Sequence, residues 1–481
     1  MSAPATAPPR RAFIKSWGCQ MNAYDSERMG AALARLGYRT ATAPQDAELI
    51  LLNTCHIREK AAEKLYSELG RLVRLKRARP DLVIGVAGCV AQAEGEEIVR
   101  RVPQVDMVFG PQALPHLPQL LRRLAARRAR GETKSLVEMD LSAPAKFDWL
   151  DRLAGQSSGA RSPSAFLTIQ EGCDKFCTFC VVPYTRGGEV SRPLNKIVDE
   201  ARALLARGVC EITLLGQNVN GWHAGGKRFS DLLHALAGLT GLARLRFTTS
   251  HPRDMDDGLV DAFRDLPVLM PYLHLPIQSG SDRVLAAMNR RHTVAFYLER
   301  IDALRRARAD MAFSTDFIVG FPGESEKDFA ATLALARRMR FARAYAFQYS
   351  PRPGTPAATR PQLTAPCKAD RLRRLQAVLA EHEQAFHARM VGTVQPVLFD
   401  AAAQDGRQGD SMRGRNPWLT PVHVPRTDAA LGRMRAVRIT HAGGHSLQGR
   451  LAAGAAGRAR PQIPDPAPHE KKACIGQESC A

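Results

Sequence analysis

The chain has 481 residues, 45% of them hydrophobic and 24% charged, and its 68 Lys and Arg against 47 Asp and Glu give a net charge of +21. This composition is globular, and at roughly 100 to 200 residues per domain the length fits two to four domains, which excludes a small disulfide-stapled protein. No run approaches the ~18 consecutive apolar residues of a membrane span, and MSAPATAPPR at the start lacks the apolar core of a secretory signal, so we expect a cytoplasmic protein without membrane contact. The basic charge favours a polyanionic partner such as a nucleic acid, although a merely soluble basic surface would carry the same charge.

The N-terminal part, residues 10–140, alternates apolar runs with amphipathic stretches in the order strand, helix, strand, helix, strand, which is typical of a parallel α/β sheet. A cysteine follows each of the three predicted strands: Cys19 in SWGCQMN, Cys55 in LLNTCHIRE and Cys89 in VAGCVAQ. Because ligands of open α/β sheets bind beyond the carboxyl ends of the strands, we expect these three thiols to converge. A three-cysteine cluster site and three separate buried thiols both fit the pattern.

The rest of the chain divides into four stretches. Residues 141–162 combine Ser, Gly, Ala and Pro without clear periodicity and are predicted to be a linker. Residues 163–391 contain six apolar strand candidates separated by helical stretches, which indicates a partial TIM-like (β/α)6 barrel. Residues 392–452 carry short β-like segments with arginine but no Lys or Glu and are predicted to form a small basic β-barrel, while the tail 453–481 is expected to be disordered.

One short loop after the first barrel strand contains Cys173, Cys177 and Cys180 at CxxxCxxC spacing. Three soft thiolate ligands so close together favour an iron-sulfur cluster, in which three cysteines leave one iron open to bind a substrate. A Cys3His zinc site is the alternative, but it needs a fourth ligand, and no histidine lies between His116 and His223. Three thiols cannot all pair with one another, so a disulfide does not explain the loop.

Taken together, the motifs resemble the radical S-adenosylmethionine methylthiotransferases, most closely the MiaB type that modifies transfer RNA. The similarity covers about residues 12–392 and, less clearly, the region to residue 452. Long motifs in the family's order carry it: KSWGCQMNAYDSERM, NTCHIREKAAEKLYSELGR, AGCVAQ, TIQEGCDKFCTFCVVPYTRGGEVSRP, LLGQNVNGW, LHLPIQSGSDRVLAAMNRRH, TDFIVGFPGE and YSPRPGTPAA.

The resemblance implies two [4Fe-4S] clusters and S-adenosylmethionine as cofactors. It assigns the radical-generating, catalytic cluster to the three loop cysteines, and an auxiliary cluster implicated in sulfur supply to the three spaced ones. The six metal ligands are then Cys19, Cys55, Cys89, Cys173, Cys177 and Cys180. The family's fold is α/β and names the three parts as an N-terminal methylthiotransferase domain, a radical-SAM barrel and a C-terminal RNA-binding TRAM domain.

The implied reaction is radical methylthiolation of C2 of N6-(dimethylallyl)adenosine next to the anticodon. That carbon carries an unactivated C–H bond which no side-chain base ionises, so the protein delegates the chemistry to cofactors. One S-adenosylmethionine is the radical source and a second donates the methyl group. By their placement at strand ends we expect contacts to S-adenosylmethionine at Gly216, Gln217, Asn218, Gln278 and Ser279.

The implied partners are tRNA and an external electron donor such as a flavodoxin or ferredoxin system, and the family likeness implies a monomer. Two substrates of sister enzymes stay open, threonylcarbamoyladenosine in tRNA and an aspartate of a ribosomal protein, although NTCHIREKAAEKLYSELGR favours the isopentenyladenosine branch. A non-catalytic iron-sulfur or zinc RNA-binding module is a further alternative, but it leaves the six-unit barrel unexplained.

Overall fold

The computed structural model describes residues 10–56, 61–152, 162–403, 411–427 and 430–452. The chain forms two compact units, Met1–Glu383 and Gln384–Ala481. The predicted tail 453–481 lies outside the described residues. Among the helices that the structure describes, none has the length and apolar character needed to cross a membrane.

The first unit opens with a parallel sheet flanked by helices. Its strands are β1 (Arg11–Trp17), β2 (Arg39–Thr40), β3 (Leu49–Thr54), β4 (Val83–Gly88), β5 (Met107–Phe109) and β6 (Leu136–Glu138). Its helices are α1 (Gln20–Arg35), α2 (Ala61–Ala78), α3 (Cys89–Glu94), α4 (Glu96–Arg101), α5 (Leu117–Ala129) and α6 (Ala143–Arg152). Every strand pair is parallel and the order is β2-β1-β3-β4-β5-β6, so the predicted α/β architecture is confirmed.

The core of this sheet follows from the apolar pattern. All six residues of β3 are buried, because a central parallel strand is covered on both faces. Helix α2 buries Leu65, Leu69 and Leu72, whose spacing places them on one helical face, and these leucines pack against Ile50 and Leu52 of β3. The strand ends are thereby fixed in a rigid row, which is where the three spaced cysteines lie.

The linker prediction is wrong for residues 143–152, which form helix α6; residues 153–161 lie outside the described residues. Phe147 and Leu150 of α6 are buried in a core that also includes Leu215 of the following barrel. The shared apolar core explains why the N-terminal sheet and the barrel, predicted as separate domains, belong to one compact unit.

The barrel part supplies the rest of the first unit. Its strands are β7 (Ser164–Thr168), β8 (Gln170–Glu171), β9 (Val190–Ser191), β10 (Glu211–Leu215), β11 (His223–Ala224), β12 (Lys227–Arg228), β13 (Arg244–Phe247), β14 (Tyr272–His274), β15 (Ala312–Val319) and β16 (Arg343–Gln348). Its helices are α7 (Val182–Arg186), α8 (Leu194–Ala206), α9 (Phe229–Ala237), α10 (Asp257–Asp265), α11 (Asp282–Ala287), α12 (Val294–Ala307), α13 (Glu326–Met339) and α14 (Ala365–Ala388). Short 3-10 helices lie in connections at Pro44–Asp46, Leu114–His116, Val219–Gly221, Pro252–Asp254 and Pro356–Thr359.

Six parallel strands form the barrel wall in two groups of three, β13-β10-β7 and β14-β15-β16. A parallel bridge between Leu245 and Leu269 joins the two groups. Within the described residues β7 and β16 do not pair, so the wall is open on that side. The predicted partial (β/α)6 barrel is therefore confirmed.

The second unit contains a closed five-stranded barrel. Its strands are β17 (Val394–Ala403), β18 (Ser411–Arg415), β19 (Pro421–Pro425), β20 (Met434–Ala442) and β21 (Leu447–Leu451), in the order β17-β18-β19-β21-β20. The predicted small β-barrel is confirmed. The unit begins at Gln384, inside α14, so the predicted boundary at 391–392 comes a few residues late.

Candidate active site

The loop with the three closely spaced cysteines is closed at its base by a short antiparallel ladder. Strands β8 and β9 pair through Gln170 with Ser191 and Glu171 with Val190, so all three cysteines belong to one excursion between them. The ladder directly follows β7, the first barrel strand. The loop is thus set at the carboxyl end of the barrel, where the ligands of such folds bind.

Contacts from the turn after α11 hold this loop in place. The Asn289 side-chain amide donates to the Phe176 carbonyl at 2.9 Å, and the Thr178 hydroxyl donates to the Ala287 carbonyl at 3.0 Å. The Thr178 amide donates to the Met288 carbonyl at 3.0 Å. The loop conformation is therefore fixed by residues more than a hundred positions away, independently of any metal.

The loop thiols lie in surroundings that oppose a bare thiolate. Burial is the main reason that the pKa of Cys173 is raised to about 11 and that of Cys180 to about 12, and the neighbouring Cys177 thiol acts in the same direction. A metal centre reverses this balance, because it binds the thiolate and displaces the proton. Cys173 and Cys180 therefore stay protonated without a metal ion, which suits ligands of a metal cluster better than free nucleophiles.

The three spaced cysteines follow neighbouring strands of the first sheet. Strands β1, β3 and β4 lie side by side, and their last residues are register partners: Trp17 pairs with Thr54, and Thr54 pairs with Gly88. Cys55 and Cys89 come one residue after this row and Cys19 two residues after it. Adjacent strands are about 4.8 Å apart. The predicted convergence at the sheet edge is therefore confirmed.

Electrostatics ties the three spaced thiols together. A hydrogen bond from the Cys55 thiol and the positive charge of Arg186 together lower the pKa of Cys19 to about 6, against the effect of burial. Burial raises the pKa of Cys89, which the Arg186 guanidinium opposes through charge and a hydrogen bond. Among the described side chains no three His, Cys, Asp or Glu residues converge as the ligands of a single ion would. A four-iron cluster does not require that, since each thiolate binds a different iron.

A ring of four buried charges lies between the two cysteine sets. Lys146 of α6 contacts Asp25 of α1 at 2.8 Å and Glu171 of β8 at 2.6 Å. Arg186 of α7 contacts the same two carboxylates, at 3.0 Å and 2.8 Å. Each of the four side chains is at most 3% exposed. Two acids and two bases balance in charge, as a buried ionic group requires.

Two members of this ring are close in sequence to the two cysteine sets. Glu171 is two residues before Cys173, and Asp25 is on the helix whose N-cap is Cys19. Local patterns did not predict the ring, because its members come from four elements far apart in sequence. The one signal in the sequence was the position of Arg186 in the motif that contains the loop cysteines, TIQEGCDKFCTFCVVPYTRGGEVSRP.

The five residues expected to contact S-adenosylmethionine lie after strand ends, as predicted. They differ in whether their side-chain polar atoms already have hydrogen-bond partners within the protein. Asn218 Oδ1 and Gln278 Oε1 are buried without a hydrogen-bond partner. Gln217 instead accepts a hydrogen bond from the Gly172 amide at 2.5 Å, and Ser279 accepts one from the Ser281 amide at 3.2 Å. Gly216 has no room for a side chain, because a Cβ there would lie 2.6 Å from Gln170 Oε1. The role of all five residues remains a prediction.

Further buried polar atoms without partners cluster at the same end of the barrel. They are Ser250 Oγ and His251 Nε2, in the segment after β13, and His292 Nε2, in the segment between α11 and α12. No local sequence pattern marks these three residues as ligand contacts. Because buried polar groups are normally satisfied, such a cluster beside the cysteine loop suits a polar ligand with several donors and acceptors. The residues present therefore fit S-adenosylmethionine.

Family models match two segments of the chain. Residues 11–110 match the uncharacterized protein family UPF0004, and residues 167–336 match the radical SAM superfamily. The first segment contains the three spaced cysteines and the second contains the three loop cysteines.

Close relatives cover nearly the whole chain. The tRNA-2-methylthio-N(6)-dimethylallyladenosine synthase of Paracoccus denitrificans is 54% identical over 457 residues, 94% of this chain and 99% of the relative. That of Bartonella quintana is also 54% identical, over 92% of this chain and 97% of the relative. Among solved structures, the radical S-adenosylmethionine methyltransferase TsrM from Kitasatospora setae matches with a TM-score of 0.54 at 15% identity, over 73% of this chain and 77% of that one. This last similarity shows the fold alone.

Proposed function

The chain belongs to the tRNA-2-methylthio-N(6)-dimethylallyladenosine synthase family, and on that basis we propose that it adds a methylthio group to C2 of an N6-dimethylallylated adenosine next to the anticodon of tRNA. The single observation that supports this most is the presence of two three-thiol sites at strand ends within one compact unit. A reaction that both breaks a C–H bond and inserts sulfur needs two such centres. A binding module would need neither.

We propose that Cys173, Cys177 and Cys180 hold the radical-generating cluster, and that the three spaced cysteines hold the auxiliary one. When bound, the first cluster and S-adenosylmethionine supply the radical chemistry that the C–H bond requires. The chain's own contribution is positioning. The β8–β9 ladder and the Asn289 amide fix the loop, and the buried charge ring holds the two thiol sets at a constant separation.

The role of the open barrel end is to orient S-adenosylmethionine and exclude water. Asn218 and Gln278 offer buried oxygens for its ammonium group, and His251 offers a ring nitrogen. The Asn218 amide is held in turn by Asp254 at 2.8 Å and by Glu189 at 3.3 Å. A side chain fixed in this way binds a ligand without a further loss of conformational entropy.

We propose that the C-terminal barrel contributes to tRNA binding. Arg438 of β20 and Arg450 of β21 are direct register partners, and both are exposed. Like charges opposite each other destabilise a strand pair, so such a pair costs stability unless an anion lies across it. RNA phosphates are anions of that kind. The enzyme we infer is a cytoplasmic monomer that receives electrons from a flavodoxin or ferredoxin system.

Two cysteine variants, assayed anaerobically with reductant, tRNA and S-adenosylmethionine, test the assignment of the two sites. Cys177→Ala is expected to abolish both 5′-deoxyadenosine and methylthiolated product. Cys55→Ala is expected to retain part of the deoxyadenosine but to lose the product, because sulfur insertion alone depends on the auxiliary site. Cys367 is half-buried in the first turn of α14, and Cys367→Ala is the matched control. This variant is expected to form both 5′-deoxyadenosine and the methylthiolated product. Product formation by either cluster variant would contradict its assignment.

A further inference from the structure

Arg290 is a buried arginine whose surroundings set it apart from the other buried arginines. Six of them form an ion pair with a carboxylate in the described structure. They are Arg28, Arg186, Arg192, Arg244, Arg246 and Arg371. Arg290 is 5% exposed, and no carboxylate lies within ion-pair distance of it among the described residues. An unpaired buried guanidinium is costly, so its position requires a negative charge that the polypeptide does not supply.

The guanidinium of Arg290 points at the cysteine loop. Its Nη1 lies 3.5 Å from Cys177 Sγ, and its Nη2 donates to the Pro276 carbonyl at 2.6 Å, which fixes the direction of the group. Arg290 is thus directed at the central thiol of the loop, that of Cys177.

The neighbours of Arg290 do not compensate its charge. The side chains of His251 and His292 lie beside it, and burial together with the Arg290 charge lowers the pKa of both, so both are neutral at pH 7. Their rings pack edge to face with centroids 5.6 Å apart. Among the described residues, the contact of Arg290 that can carry a negative charge is the Cys177 sulfur, once it binds a metal centre as a thiolate.

We propose that Arg290 is a positioning residue of the radical-generating cluster: it donates a hydrogen bond to the Cys177 thiolate and raises the cluster's reduction potential. The inference rests on the proposed function, since it takes the loop to be the site of that cluster. Hydrogen bonds and positive charge near the ligand sulfurs favour the reduced, more negative state of an iron-sulfur cluster. The one electron comes from the external donor, so Arg290 determines how readily that electron is accepted.

The test is a redox titration of the reconstituted full chain, poised with dithionite and mediator dyes and followed by electron paramagnetic resonance. Both clusters are held by three cysteines and have an open iron, so the loop cluster is identified in the variant Cys19→Ala/Cys55→Ala/Cys89→Ala, whose remaining signal should change when S-adenosylmethionine is added. In Arg290→Met the ratio of reduced to oxidised loop cluster should fall about tenfold at a given potential, a shift of about 59 mV for a one-electron couple. Arg290→Lys retains the charge and should shift the midpoint much less.

Arg253→Met is the matched control, because it removes an exposed arginine from the same end of the barrel and should leave the midpoint unchanged. If Arg290→Met does not assemble its cluster, Arg290→Gln, which keeps an N–H donor without the charge, replaces it and should still lower the midpoint. An unchanged midpoint in the charge-free variant would overturn the inference. Absence of a signal that responds to S-adenosylmethionine in the wild type would instead contradict the proposed function.

Discussion

Two glycines determine how closely the auxiliary cysteines can approach one another. Gly18 has a φ of +120° and Gly88 a φ of +93°, a backbone region that side-chain-bearing residues rarely adopt. A Cβ on Gly18 would lie 2.1 Å from the Cβ of Cys55, and a Cβ on Gly88 would lie 2.4 Å from the Thr54 carbonyl oxygen. Each glycine precedes a cysteine, so the absence of a side chain is what allows the three strand ends to lie side by side.

Gly18→Ala should therefore displace Cys55 and impair the auxiliary site. We expect iron content to fall by the equivalent of one cluster, and a destabilisation of more than roughly 2 kcal/mol, because backbone strain adds to the clash. Gly37→Ala is the control: its φ is +81°, but nothing lies within 4 Å of the added Cβ, so strain of about 1 kcal/mol acts alone. Iron analysis and urea unfolding measure both effects. Equal iron content in the two variants would contradict the role of Gly18.

Sequence alone could predict the six cysteines as two sets but not the charged residues around them. The cysteines are recognisable because their spacing and their position after apolar runs are local properties. The partners of Arg186 and Lys146 lie on other elements, and Arg290 contacts a loop that is more than a hundred residues earlier. A buried charge is set by three-dimensional packing, which the local pattern does not record.

Among the secondary-structure elements, helix α6 is the one whose structural role could not be predicted from the sequence. Its composition resembled a linker, yet Lys146 is fully buried and contacts Asp25, 121 positions away, and Glu171, 25 positions away. The long strands and amphipathic helices, in contrast, were predictable from periodicity.

Lys146→Met tests whether α6 is held through the charge ring. Removing the lysine leaves two buried carboxylates with one cation, so we expect a loss of about 3–5 kcal/mol in the free energy of unfolding. Lys196→Met on α8 removes an exposed helical lysine and should change stability by less than about 0.5 kcal/mol. Adding Asp25→Asn to Lys146→Met should restore part of the loss, because one uncompensated charge disappears. A double variant no more stable than the single one would argue against charge as the cause.

At the scale of the whole molecule, the chain combines a unit that carries both thiol sets with a separate basic barrel. On the proposed function, the first unit carries out the chemistry and the basic barrel contributes to tRNA binding. The overall charge of +21 fits a substrate that is a polyanion. Binding of tRNA and turnover should accordingly respond to different substitutions.

Replacing both Arg438 and Arg450 by Ala should weaken tRNA binding and lower its salt dependence. The slope of log K against log salt is expected to fall by about one for each phosphate that the variant no longer neutralises. Deoxyadenosine formation without tRNA should stay unchanged, because neither residue is in the first unit. Arg202→Ala on α8, an exposed arginine paired with Asp199, is the control. Filter binding at several salt concentrations measures the slope, and an unaltered slope would remove the pair from the interface.

We infer that this chain methylthiolates dimethylallyladenosine in tRNA. The most direct measurement is nucleoside mass spectrometry after anaerobic incubation of the reconstituted chain with S-adenosylmethionine, reductant and a mixture of dimethylallylated and threonylcarbamoylated tRNA. We expect a methylthio group only on dimethylallyladenosine, with deoxyadenosine formed alongside it. A methylthio group on threonylcarbamoyladenosine alone, or deoxyadenosine without any methylthiolated nucleoside, would contradict the claim.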